Sequence, residues 1–196
     1  MNEPANPTDV LNGKCILLVE DDPDLQPQIC ELLKKYGAKV NAVGCYKEAE
    51  NALNNPKLLF DAGIVDIRLP RSPQHGKKVA MLLDEWTALR KKALAGTDIS
   101  GQEGKIPDKF AEEMDMIESD ISKLVVPDAG LCLIKNIRNP NHLRSSLPIL
   151  FLTGRQNFET EKTALGLKPA ILLVKPQRAA AIIGAVADLL RQSQLS

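Results

Sequence analysis

Residues 15–24 read CILLVEDDPD: an apolar, strand-like run, Cys15-Ile-Leu-Leu-Val19, closes directly on Glu20, Asp21 and Asp22, with Asp24 just past a proline. Two like unit charges ~4 Å apart repel by about 4 kcal/mol at an effective dielectric near 20, so carboxylates this dense are either solvated or hold a cation. Asp22 before Pro23 also suits a helix start, where first-turn carboxylates favour the helix dipole. The cluster alone does not choose between a solvated cap and an ion site, and the rest of the chain has to decide.

Outward from this stretch, short apolar runs alternate with helical patterns: CILLV then LQPQICELLKKYG, AKVNAV then CYKEAENALNN, LFDAGIVDI, LPILFLTG, and AILLVKP then RAAAIIGAVADLLRQ. This alternation predicts five strands and five helices in an α/β fold, a doubly wound parallel sheet covered on both faces. Open parallel sheets bind ligands at the carboxyl ends of their strands, so the residues closing each strand carry the information. The first strand closes with Glu20, Asp21 and Asp22, the third with Asp66, the fourth with Thr153 and the fifth with Lys175 before Pro176. Singly, each has an ordinary explanation as a turn, a cap or a solvated lysine. Together they place carboxylates, a hydroxyl and an ammonium on one rim, a set suited to a divalent cation and a phosphoryl group.

The ordered motifs ILLVEDD, VDIRLP, LPILFLTG and LLVKP resemble the receiver domain of two-component response regulators. The resemblance covers residues 14–70 and 128–196 and implies a flavodoxin-like five-stranded sheet of order 2-1-3-4-5. It implies that Asp66 is the phosphoacceptor and that Glu20 and Asp21 form an acidic pair that helps bind Mg2+, with the Arg68 carbonyl as a further metal ligand. Mg2+ favours a few carboxylates plus phosphate oxygens and retained waters. By the same resemblance Thr153 hydrogen-bonds a phosphoryl oxygen, and Lys175 pairs first with the acceptor and then with its phosphate. Asp22 aligns just outside the pair and reads as a helix cap. The Lys175–Pro176 bond is expected to favour the cis isomer.

Three departures stand out. Leu172 occupies the position, three before Lys175, where receivers often carry a switch aromatic. The turn before the fifth strand reads GLKPAILL, and Gly154 follows Thr153 where alanine is common. The third and largest is an insertion, residues 71–127, between the acceptor strand and a helix opening at Asp128-Ala-Gly130. Within it Val79, Leu82, Trp86, Leu89 and Ala93, and then Phe110, Met114, Ile117, Ile121 and Leu124, recur at alternating spacings of three and four. These are two heptad seams, which predict an antiparallel helical hairpin whose helices bury each other. Ser72-Pro73 supplies a helix start, with a first helix of about nineteen residues. GTDISGQEGKIP supplies the connecting loop, and Met81, Leu83 and Met116 fall on the outer flank. His75 and His142 read as solvated. The competing insertion point makes Gly76-Lys-Lys-Val-Ala-Met-Leu-Leu the helix after the acceptor strand.

The chain has 196 residues, 44% of them hydrophobic, enough for a buried core. Twenty-five basic residues balance twenty-five acidic ones, giving no electrostatic footprint for nucleic acid or an anionic membrane. Residues 1–13 have no cationic start or apolar core and read as a flexible tail rather than a signal peptide. No apolar run approaches the ~20 residues of a membrane helix. A cytoplasmic location follows as an expectation, with Cys15, Cys30, Cys45 and Cys132 as buried free thiols.

The expected partners are a sensor histidine kinase or histidine phosphotransfer protein, a downstream protein target, and a second copy held through the insertion or through the face of the receiver's fourth and fifth helices. The expected function is a stand-alone receiver that signals by protein contact and is not an enzyme. A phosphorylation-independent interaction module is the alternative. A haloacid-dehalogenase-type enzyme shares the order Asp22-Pro-Asp24, Thr153, Lys175, but only Asp188 follows the lysine where that reading needs an acidic pair. A flavodoxin lacks its Ser/Thr-rich phosphate loop here.

Overall fold

The computed structural model describes residues 10–95, 108–154, 158–175 and 179–194. The element order is β1 Cys15–Val19, α1 Leu25–Lys35, β2 Lys39–Val43, α2 Tyr46–Asn54, β3 Ala62–Asp66, β4 Leu69–Pro70, α3 Pro73–Ala95, α4 Asp108–Leu124, β5 Val125–Val126, α5 Ala129–Ile137, β6 Ile149–Thr153, α6 Phe158–Gly166, β7 Ala170–Val174 and α7 Ala179–Gln194. Five strands form a parallel sheet of order β2-β1-β3-β6-β7. This is the expected 2-1-3-4-5 order, with two short strands of a separate ladder interposed in the numbering.

Strand alternation divides the core into two layers. Leu17, Val19, Val65, Ile67 and Phe151 pack with α2, α5 and α6 on one face. Ile16, Leu18, Ile64, Leu150 and Leu152 pack with α1 and α7 on the other. Because both faces are covered, the central strands are apolar at consecutive positions rather than at alternate ones.

Residues 10–13 differ from the loose tail expected of them. Leu11 is fully buried with the α1 and α7 layer. Gly13 donates its N–H to the Gly37 carbonyl at 2.9 Å. Gly37 has φ +84, and a Cβ there would meet the Asn12 side chain at 2.5 Å, so this turn requires glycine. Val10-Leu11 is too short an apolar run in a polar stretch to predict the anchoring. Residues 1–9 lie outside the described residues.

β4 pairs antiparallel with β5, Leu69 with Val126 and Pro70 with Val125. This ladder closes the base of a two-helix arm made of α3 and α4. The seam residues Val79, Leu82, Trp86, Leu89 and Ala93 on α3 are all buried or half-buried, as are Phe110, Met114, Ile117, Ile121 and Leu124 on α4. α3 begins at Pro73 and runs for 23 residues, longer than expected, reaching roughly 34 Å at ~1.5 Å per residue. Its start is fixed because Gly76 N–H donates to the Ser72 carbonyl at 3.0 Å and Ser72 Oγ lies 2.7 Å from His75 Nδ1. His75 is therefore half-buried in a helix turn rather than solvated. His142 likewise bridges Asn54 Oδ1, at 3.1 Å, and the Arg144 N–H.

Candidate phosphoryl and metal site

Sheet register assembles the rim. Val19 of β1 pairs with Val65 of β3, so Glu20 and Asp66, the next residue of each chain, emerge side by side. Asp66 pairs with Leu152, which puts Thr153 one step beyond it on β6. Thr153 pairs with Val174 of β7, and Lys175 follows, its N–H donating to the Thr153 carbonyl at 2.6 Å. Four separated segments thus converge through strand order alone.

Lys175 Nζ donates to Asp66 Oδ2 at 2.8 Å and lies 2.8 and 2.7 Å from the two carboxylate oxygens of Glu20. Glu20 is fully buried, Asp66 is 7% exposed and Thr153 4%. The carboxylate oxygens of Glu20, Asp21 and Asp66 fall within 4.8 Å of one another. Asp66 Oδ1 also accepts the Arg68 N–H at 3.3 Å. The structure therefore brings Glu20, Asp21, Asp66 and Lys175 together, sets Thr153 at the neighbouring strand end, and places Arg68 beside Asp66 through its N–H. Asp22 is the cap expected of it, its Oδ1 accepting the N–H groups of Asp24 and Leu25 at 2.9 and 3.0 Å. The Lys175–Pro176 bond lies outside the described residues.

The electrostatics follow from this crowding. Burial, and then the Asp66 charge, push the Glu20 carboxyl up to about 7. Asp21 retains an exposed surface, but desolvation of its carboxyl and the Asp66 charge raise it to about 6. Burial opposes the Lys175 ammonium, yet the Asp66 and Glu20 charges outweigh it and hold its pKa above the usual lysine value. One ammonium against three carboxylates leaves an excess of negative charge that a divalent cation would offset. The three clustered carboxylates offer oxygen donors, which suit a hard cation such as Mg2+.

Further contacts support the rim. Gln26 Nε2 donates to the carbonyls of Glu20 at 2.5 Å and Val43 at 3.1 Å, tying the ends of β1 and β2 to α1. Gly130 donates its N–H to the Ile67 carbonyl at 3.0 Å, and a Cβ there would fall 2.3 Å from the Asp66 carbonyl oxygen. α5, and not the Gly76 segment, is thus the helix seated under the acceptor strand. Leu172 is half-buried and pairs with Phe151. Cys132 is exposed on α5, unlike the buried thiol expected, while Cys45 is buried and Cys15 and Cys30 are half-buried. Asp188 is ion-paired with Arg191 at 2.8 Å.

Strand order and rim geometry define the class: the chain has the fold of response-regulator receiver domains. Among solved structures it is similar to a CheY-like receiver domain protein from Methanospirillum hungatei JF-1, with a TM-score of 0.56 and 16% identity over 93% of this chain and 98% of that one. It is also similar to the non-phosphorylated HemR receiver domain from Leptospira biflexa, with a TM-score of 0.54 and 20% identity over 90% of this chain and 94% of that one. No protein-family profile matches. A probable histidine kinase 6 from Oryza sativa subsp. japonica is 39% identical over 69 residues, 35% of this chain and 7% of that protein. The chain therefore aligns with only a small part of that kinase's length. Among the described residues no helix is long and apolar enough to cross a membrane.

Proposed function

We propose that this chain is a response-regulator receiver that accepts a phosphoryl group on Asp66 from a histidine kinase or histidine phosphotransfer protein and signals through protein contacts. The observation that supports it most is the convergence of Glu20, Asp21, Asp66, Thr153 and Lys175 at adjoining strand ends, with Lys175 in contact with both Asp66 and Glu20. An Asp66 carboxylate oxygen attacks phosphorus, a P–O bond forms, and the donor's P–N bond, or the P–O bond of an acyl phosphate, breaks as the imidazole or carboxylate departs. Such transfer depends on positioning and charge neutralisation.

Glu20, Asp21, Asp66 and the Arg68 carbonyl would hold Mg2+, which offsets the phosphoryl charge. Lys175 neutralises the opposite side, and Thr153 supplies a hydroxyl to a phosphoryl oxygen. Residues 71–127 form an insertion on a receiver made of 14–70 and 128–196, and the chain works in the cytoplasm as a signalling module rather than an enzyme. With Leu172 in place of an aromatic, there is no ring to flip, so output rests on other surfaces. Those are the arm or the face of α6 and α7, for a downstream protein or a second copy.

Incubation with labelled acetyl phosphate tests this. Label should enter the wild type with Mg2+ and be lost with a chelator or in Asp66→Asn. Undiminished labelling of that variant would overturn the assignment.

A further inference from the structure

The acidic pair of the rim is carried by a short stretch, Glu20-Asp21-Asp22, that lies after β1 and before α1. Glu20 is buried, whereas Asp21 is exposed. Repulsion from Glu20 and Asp66 drives an exposed carboxylate toward solvent. That the Asp21 carboxylate nevertheless gathers with theirs within 4.8 Å depends on the backbone that carries it.

One residue holds that backbone at both ends. Gln26 Nε2 donates to the Glu20 carbonyl at 2.5 Å, and the Gln26 main-chain N–H donates to the Asp22 carbonyl at 3.0 Å. The same Nε2 donates to the Val43 carbonyl at 3.1 Å, which also accepts the Glu20 N–H at 3.1 Å. A primary amide has two N–H bonds, and here each has an acceptor, so the side chain is tied in two directions.

The Glu20 carbonyl belongs to the planar peptide unit that joins Glu20 to Asp21. Tying its oxygen restrains rotation of that plane, and with it the directions in which the two side chains leave the backbone. The remaining bonds of the stretch hold Asp22: its N–H donates to Glu20 Oε1 at 3.3 Å, and its Oδ1 caps the start of α1.

We propose that Gln26 is a positioning residue for the metal site, its amide holding the Glu20–Asp21 peptide so that both carboxylates face one divalent cation. The inference rests on the receiver reading above, in which this pair binds Mg2+. Hydrogen-bonding partners outside the coordination sphere commonly change metal affinity roughly ten- to a hundredfold.

Mg2+ alone is titrated into the full chain by calorimetry, with circular dichroism confirming that each variant is folded. Gln26→Met keeps an unbranched, helix-compatible side chain and removes both donors. It should bind Mg2+ roughly tenfold more weakly than the wild type. Gln26→Asn keeps an amide on a shorter stem and should fall between the two; it carries the test if the methionine variant does not fold. Arg144→Ala is the control for lowered stability, because Arg144 serves carbonyls before β3, at the other end of the strand from Asp66, and should bind Mg2+ as the wild type does.

Wild-type affinity in the folded Gln26 variants would overturn the positioning role and leave the receiver reading standing. An equal loss in Arg144→Ala would also overturn it, since the effect would then be one of stability alone. A wild type that binds no Mg2+ would overturn both.

Discussion

Gly130 lies against the main chain of Asp66: a Cβ at 130 would come within 2.3 Å of the Asp66 carbonyl oxygen and 3.0 Å of the Ile67 Cα. The opposing atoms belong to backbone in the central strand and cannot swing aside as a side-chain tip would. Gly130→Ala should therefore lower stability by about 2 kcal/mol or more, the upper range of an overpacking change. Gly154→Ala, with nothing within 4 Å, should be nearly neutral. Urea denaturation of both variants checks the contrast.

Lys175 is the cation facing Glu20 and Asp66. Lys175→Met should leave two buried carboxylates opposed, costing about 3 kcal/mol at pH 8. At pH 5 the cost should shrink, because Glu20, already raised to about 7, then carries a proton. Denaturation at the two pH values separates this charge effect from a packing defect, which would not vary with pH.

The acidic pair also gives the metal-free protein a definite pH dependence. Glu20 rises from an ordinary 4.5 to about 7 and Asp21 from 3.8 to about 6. Between those values the folded chain holds protons that the unfolded chain has released, so stability falls as pH rises from about 4 to about 7. Mg2+ competes with the same protons, so its affinity should rise across this window and its stabilising effect should be greatest above it. Thermal melts with chelator and with Mg2+ measure both slopes.

Arg144 is buried, and its guanidinium donates to the carbonyls of Leu53, Asn55 and Leu58 while stacking 5.4 Å from the Phe60 ring centroid. It closes the end of α2 and orders the loop into β3. Arg144→Ala should leave those acceptors unpaired and cost about 3 kcal/mol. Arg144→Lys should recover only part of it, since a single ammonium cannot span three carbonyls. Chemical denaturation gives the ranking.

The sheet was legible in the sequence because its strands are apolar runs bounded by turn residues, and the site because each candidate closes one of those runs. The arm was legible because its seams repeat every three and four residues, and those positions are the ones buried. Features made by contacts between distant segments were not legible. Gln26 bridging two carbonyls and Arg138 donating to the carbonyls of Ser145, Leu147, Leu167 and Pro169 depend on where other backbone passes, whereas Gly130 was legible as the glycine opening the helix after the arm and only its fit against the Asp66 carbonyl was not. Leu11 packs from a two-residue apolar run, Val10-Leu11, with no period to announce it.

The most direct test of the central claim is chemical trapping of the acyl phosphate. After reaction with acetyl phosphate and Mg2+, borohydride reduction converts an aspartyl phosphate into homoserine, which peptide mass spectrometry can locate. The account predicts a single conversion, at Asp66, absent without Mg2+. Conversion at another carboxylate, or stable phosphate on His75 or His142 with Asp66 untouched, would contradict it.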